Sequence, residues 1–276
     1  MKVYQHGSYV RKSDSRTVFR YRCIRCKKTF STATSLACFG QKKRRLNHMI
    51  WKHLCSGNTQ RRTAQFLGVN RKTVVRKFRF LANFFRERRL KALYENNILA
   101  VKEVLFDEME SSIHSKCLPV TIPLAVEKKK RKILDFQVEM IPPKGKLAEI
   151  SLKKYGHRPN HSRLGLEKLF TNLRLMVVAD AAFKSDQKTS YPGYVKKYFP
   201  QAKEHVSVKG VRGCVTGQGE MKKTAYDPLF DLNQTAAMIR YNVSRLARRS
   251  WCTSKTIQGL KDHLEIYLAF HNQKLI

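Results

Sequence analysis

Val101-Lys102-Glu103-Val104-Leu105-Phe106-Asp107-Glu108-Met109-Glu110 is a short apolar run that delivers an acid at its end. Such a run argues for a buried strand, and a carboxylate at a strand end is a natural ligand for a hard metal ion. Downstream, Val120, Ile122, Leu124 and Val126 alternate, as do Leu134, Phe136, Val138 and Met140, on either side of the basic turn at 127–132. This reads as a hairpin with a cationic tip. Pro123 in the first arm predicts an edge position or a bulge, because proline cannot donate to a ladder. Leu166, Leu169, Phe170 and Leu173 follow at helical spacing, and a second apolar run over 176–183 ends in Lys184-Ser185-Asp186. Tyr191-Pro192 opens a short amphipathic helix through Phe199, and 228–250 and 256–272 read as two long basic amphipathic helices. The order strand, hairpin, helix, strand, helices predicts an α/β chain of the α+β kind. A mixed sheet is covered by helices, and Asp107 and Asp186 lie on separate strands that can converge.

The 276 residues carry 56 Lys and Arg against 20 Asp and Glu, a net charge of +36. A 42% hydrophobic content fills a real core, so wholesale disorder is excluded. Residues 1–100 hold 25 of the basic residues and only Asp14, Glu87 and Glu95 as acids. Charge of this density repels itself unless a polyanion neutralises it, which makes nucleic acid the leading partner; an anionic lipid surface is the weaker alternative. No stretch approaches the ~18 apolar residues of a membrane span, and the start MKVYQHGSYVRKSDSR has no apolar h-region. The expectation is a cytoplasmic, nucleoid-associated protein with reduced thiols, since seven cysteines with a single C-x-x-C do not make a disulfide framework.

That C-x-x-C, Cys23 and Cys26 within residues 21–31 (YRCIRCKKTFS), has the form of one zinc knuckle. A structural zinc needs four N or S ligands, and no second pair exists; His6, Cys38, His48 and His53 are the remaining candidates to complete a Zn²⁺ site. Residues 56–78 then follow helix-turn-helix grammar. Ala64 permits close helix approach, Gly68 ends the first helix, Asn70 caps the second, and Val69, Val74 and Val75 supply buried contacts. Arg71, Lys72, Thr73, Arg76 and Lys77 lie on or beside the second helix, where a recognition helix meets the major groove of double-stranded DNA.

The knuckle, the helix pair at 57–78 (GNTQRRTAQFLGVNRKTVVRKF), FDEME at 106–110, KSDQKTSYPGYVKKYFP at 184–200, and RLARRSWCTSK at 245–255 together resemble bacterial insertion-sequence transposases of the DDE superfamily. The likeness is to the small ones with a zinc ribbon, a helix-turn-helix and an RNase H-like catalytic domain. It implies an incomplete zinc-ribbon-like segment over 1–45, a DNA-binding helix-turn-helix over 46–95 and a catalytic domain over 96–276. It further implies Asp107 as the first catalytic acid and Asp186 as the second, with Mg²⁺ or Mn²⁺ as cofactor. Arg240, Arg245, Arg248, Arg249 and Lys255 would contact DNA phosphates, and at least a dimer would pair two DNA ends. The third acid departs from the pattern: counting back from Arg245, its position falls on Asn233, with Asp231 two residues earlier. Glu220, in the glycine-flanked stretch 217–223, is the preferred candidate and Asn233 the alternative. His114 and His205 are further candidates to assist catalysis. The activity implied is metal-dependent DNA cleavage and strand transfer; the competing class is a catalytically inactive DNA-binding regulator or domesticated remnant. An RNA-binding protein is disfavoured, because no aromatic-rich recognition strand is apparent.

Overall fold

The computed structural model describes residues 2–12, 14–95, 100–209, 227–247 and 252–274. The chain divides into two compact units, 1–52 and 53–276. In the first, β1 (Val3–Arg11), β2 (Arg16–Cys23) and β3 (Thr29–Ser31) form an antiparallel sheet in that order. Asp14 closes the first hairpin by accepting from Arg11 Nε at 2.7 Å, and the C-x-x-C forms the second turn, where Cys23 N donates to Lys28 O at 3.0 Å. Helix α1 (Leu46–Leu54) spans the division between the units.

The second unit opens with α2 (Gln60–Phe66) and α3 (Arg71–Glu95). Thr59 caps α2 by accepting from Arg62 N at 3.2 Å, Gly68 takes φ +57°, and Asn70 Oδ1 accepts from Lys72 N at 2.8 Å to cap α3. These are local solutions to the unpaired N–H groups at helix starts and to the left-handed exit of a helix. Val74, Phe78, Leu81 and Phe85 recur on one stripe of α3 and are buried, with α3 running against α8 (Ile257–Lys274).

The sheet comprises β4 (Val101–Ser112), β5 (Pro119–Glu127), β6 (Ile133–Phe136), β7 (Glu139–Met140), β8 (Val177–Asp186) and β9 (Glu204–Val208). Its order is β6-β5-β4-β8-β9, with β7 also on β5; β5 runs antiparallel to β4, β6 and β7, whereas β8 and β9 run parallel to β4. The remaining helices are α4 (Leu147–Tyr155), α5 (Ser162–Leu173), α6 (Tyr191–Tyr198) and α7 (Phe230–Asn242). On one face of the sheet, Val104, Phe106, Ala125 and Phe183 pack with Leu166, Leu169 and Phe170 of α5 and Tyr191 and Val195 of α6. On the other, Met109, Ile122 and Leu124 meet Ile239 of α7 and Leu264 and Tyr267 of α8. The mixed sheet covered by helices is as expected from the hydrophobic pattern.

Three expectations are corrected. Asp107 does not end its strand, because β4 continues through Ser112 in pairing with β5. The arm at 120–126 is buried on both faces rather than alternating, since helices cover both. Pro123 lies on the inner strand β5, paired with Glu108, and its carbonyl accepts from Gln137 N at 2.9 Å. A strand residue's N–H and C=O point the same way, so the missing donor faces the break between β6 and β7, where no ladder bond is required.

Arg89 ties the helix pair to the sheet. Its guanidinium donates to both Glu265 oxygens, at 2.7 and 3.0 Å, and to Asp135 Oδ1 at 3.0 Å. Asp135 on β6 is wholly buried and also accepts from Asn172 of α5 and Gln137. Burial pushes its carboxyl up, against the pull of Arg89. Arg86 and Asp262 add a second link at 2.7 Å. The helix pair expected as a domain over 46–95 therefore shares one unit with the sheet.

Candidate functional site

Leu105 and Lys184 are partners across the parallel strands β4 and β8, and two residues further along each strand come Asp107 and Asp186. Both line one cavity of about 440 Å³ with Glu108, Lys144, Lys188 and Tyr191. Asp107 is held at about 6, first by burial and then by the charge of Asp186. Asp107 and Asp186 offer hard oxygen donors to a divalent cation, whose charge would offset the repulsion that the Asp186 carboxylate exerts on Asp107. The pair therefore fits Mg²⁺ or Mn²⁺ in donor chemistry, although among the described residues no three of His, Cys, Asp and Glu gather into a metal-holding group.

The sequence reading missed Glu108 and Tyr191. Tyr191 begins α6 and is fully buried, its ring 4.9 Å from that of Phe106. Its hydroxyl donates to Asp107 Oδ1 at 3.1 Å and to Glu108 Oε2 at 3.3 Å. Burial and the neighbouring carboxylates hold the phenol far above its ordinary range, so it stays a donor. Glu108 also accepts from Thr121 Oγ1 at 2.9 Å and pairs with Lys188. Strand alternation assigns neighbours 107 and 108 to opposite faces, so periodicity alone separates two side chains that one tyrosine joins. The available signal was their adjacency in FDEME, together with a tyrosine five residues past Asp186.

The other expected positions divide. Asn233 is exposed on α7, its amide donating to Asp227 Oδ2 at 2.9 Å, and it does not line the acid cavity. Asp231 caps the hairpin tip by accepting from Lys129 N at 2.8 Å. Glu220, Arg248 and Arg249 lie outside the described residues. Arg71, Lys72 and Arg76 are exposed on α3, and Thr73 is half-buried. Lys77 is corrected to a buried position, 6% exposed, because it falls between Val74, Phe78 and Leu81 on the packed stripe. Arg245 is likewise corrected: its guanidinium donates to Ser254 Oγ at 3.0 Å and Gly259 O at 2.9 Å and lies over the Phe78 ring, so it braces the fold. Arg240 borders a second cavity with Arg245 and His114, and exposed Lys255 approaches His114 Nδ1 at 3.3 Å. His205 meets Ser185 Oγ at 2.9 Å behind Asp186 and does not line the acid cavity.

Cys23 is buried and Cys26 exposed; hydrogen bonds from the Cys26 backbone and side chain hold the Cys23 thiol below its ordinary value. Among the described residues no third ligand joins them, so the set falls short of the four a structural zinc takes. No helix among the described residues is long and apolar enough to cross a membrane. No protein-family model matches the chain, and no curated protein matches it.

Proposed function

We propose that the chain is an insertion-sequence transposase that binds the ends of its element and catalyses metal-dependent cleavage and strand transfer of double-stranded DNA. The observation that carries this reading is the placement of Asp107 and Asp186 on adjacent parallel strands, lining one cavity in a strongly basic chain. The succession of strand, hairpin, helix and strand between the acids supports an RNase H-like core. Magnesium or manganese, held by Asp107 and Asp186, would polarise the attacked phosphate and stabilise charge on the leaving oxygen. Tyr191 fixes the Asp107 carboxylate, and Glu108 keeps Lys188 at the rim. Helices α2 and α3 present Arg71, Lys72 and Arg76 to the major groove, and pairing two ends calls for two copies of the chain. Such a protein would work on the bacterial nucleoid.

The test is Mn²⁺-dependent cleavage and joining on DNA carrying the terminal repeats, with wild type beside Asp107→Asn, Asp186→Asn, Glu220→Gln and Asn233→Ala. Wild type is expected to cut, and both aspartate variants to bind without cutting. The engagement of Asn233 with Asp227 favours a second reading, a DNA-binding regulator descended from a transposase. Wild type that binds with steep salt dependence and never cuts would establish that reading instead.

A further inference from the structure

The sheet of residues 1–52 carries a row of rings on one face. Tyr21 and Phe30 are direct partners across β2 and β3 and stack with centroids 5.8 Å apart at 26°. Phe19 lies two residues before Tyr21 and therefore on the same face. Phe19 and Phe30 are 44% and 36% exposed; the other face holds the buried Val18 and the separate exposed rings Tyr4 and Tyr9. A solvated sheet face normally carries polar side chains, so exposed stacked rings call for a partner.

The charge indicates which partner. Residues 1–52 contain 14 Lys and Arg, and their one acid, Asp14, is bound to Arg11. Arg20 and Arg22 alternate with the rings along β2 and so project from the opposite face, while Lys28, whose carbonyl accepts from Cys23 N, lies in the turn just before β3. This density suits a polyanion and disfavours an apolar or basic protein surface. In a duplex the base faces are hidden in the stack; in an unpaired strand they are open, and aromatic side chains in a cationic surround bind them without regard to sequence.

We propose that this face binds single-stranded DNA, with unpaired bases stacking on Phe19 and on the Phe30–Tyr21 pair. The choice of DNA over RNA rests on the function proposed above, whereas the stacking rests on the rings and the charge alone. The activity extends that function, because a chain that opens phosphodiester bonds handles frayed strands as well as duplex.

The test uses the full chain and fluorescence anisotropy with a labelled oligodeoxythymidine, a blunt duplex and an oligouridine of equal length. Phe19→Ala with Phe30→Ala is expected to weaken oligodeoxythymidine binding by at least about fivefold, the low end for losing one stacked base. Duplex affinity and the slope of log K against log salt stay as in wild type, since no cation is removed. Phe19→Trp with Phe30→Trp retains single-strand binding. Phe19→Leu keeps bulk without the ring and reads the stacking if the alanine pair fails to fold. Unchanged single-strand affinity in a folded variant, equal loss on duplex, or tighter binding of oligouridine would overturn the proposal. The outcomes are separable from cleavage: a chain that never cuts yet shows this discrimination upholds the stacking face, and one that cuts without it does not.

Discussion

The Tyr191 hydroxyl donates to Asp107 Oδ1 at 3.1 Å from a ring that is fully buried against Phe106. A rigid donor, unable to ionise near neutrality, thereby selects one orientation of an acid on a different element. The hydrogen bond also favours the charged carboxylate, opposing the burial and the Asp186 charge that hold Asp107 at about 6.

Tyr191→Phe keeps the ring packing and removes this donor. A hydrogen bond to a charged group contributes about 1.5–3 kcal/mol, so the Asp107 titration should move upward and the acidic limb of the cleavage pH profile with it. Metal-dependent cleavage measured across pH reads the shift. A uniform loss of rate with an unmoved limb would remove Tyr191 from the site's electrostatics.

Asp107→Asn should stabilise the metal-free chain at neutral pH. The folded value of about 6 lies above the ordinary 3.8, so the folded state binds the proton more tightly than the unfolded state. Asp107 therefore costs stability above about 6, the cost is relieved as pH falls through that value, and none remains below 3.8. At ~1.36 kcal/mol per pKa unit the cost approaches about 3 kcal/mol. Urea denaturation at several pH values should show the variant's advantage over wild type at pH 7 shrinking on acidification. An advantage independent of pH would exclude the linkage.

Arg89→Ala leaves two buried carboxylates, Asp135 and Glu265, without their cation. Breaking a buried pair in this way costs about 3–5 kcal/mol. Arg89→Lys should recover only part of it, because a point charge cannot reproduce the fork that reaches both acids. Chemical denaturation of the two variants checks the order.

On α3, Arg71→Ala, Lys72→Ala and Arg76→Ala should each weaken duplex binding and lower the salt slope by about 1 for each phosphate that is no longer neutralised. Lys77→Ala should instead lower the melting temperature and leave the salt slope unchanged, since Lys77 lies inside the helix packing. A salt slope altered by Lys77→Ala would mean that α3 opens on binding DNA.

What is local was legible in the residues alone: the capped turn at Gly68 and Asn70, the strand-hairpin-helix-strand order, the basic surplus and the two aspartates on separate strands. Periodicity and turn chemistry act over a few residues, so a few residues suffice to read them. Which side chains those elements enclose depends on how the elements pack. Lys77 and Arg245 resemble in sequence the neighbouring cations expected to contact DNA, yet one lies on the packed stripe of α3 and the other reaches over Phe78 to Gly259. Asp107 and Tyr191 are 84 residues apart, and no local pattern reports that their atoms meet. Phe19, Tyr21 and Phe30 likewise read as scattered aromatics until the register of three strands aligned them on one face. Burial and convergence depend on what a distant segment places opposite a residue, which is information that no short window of the chain contains.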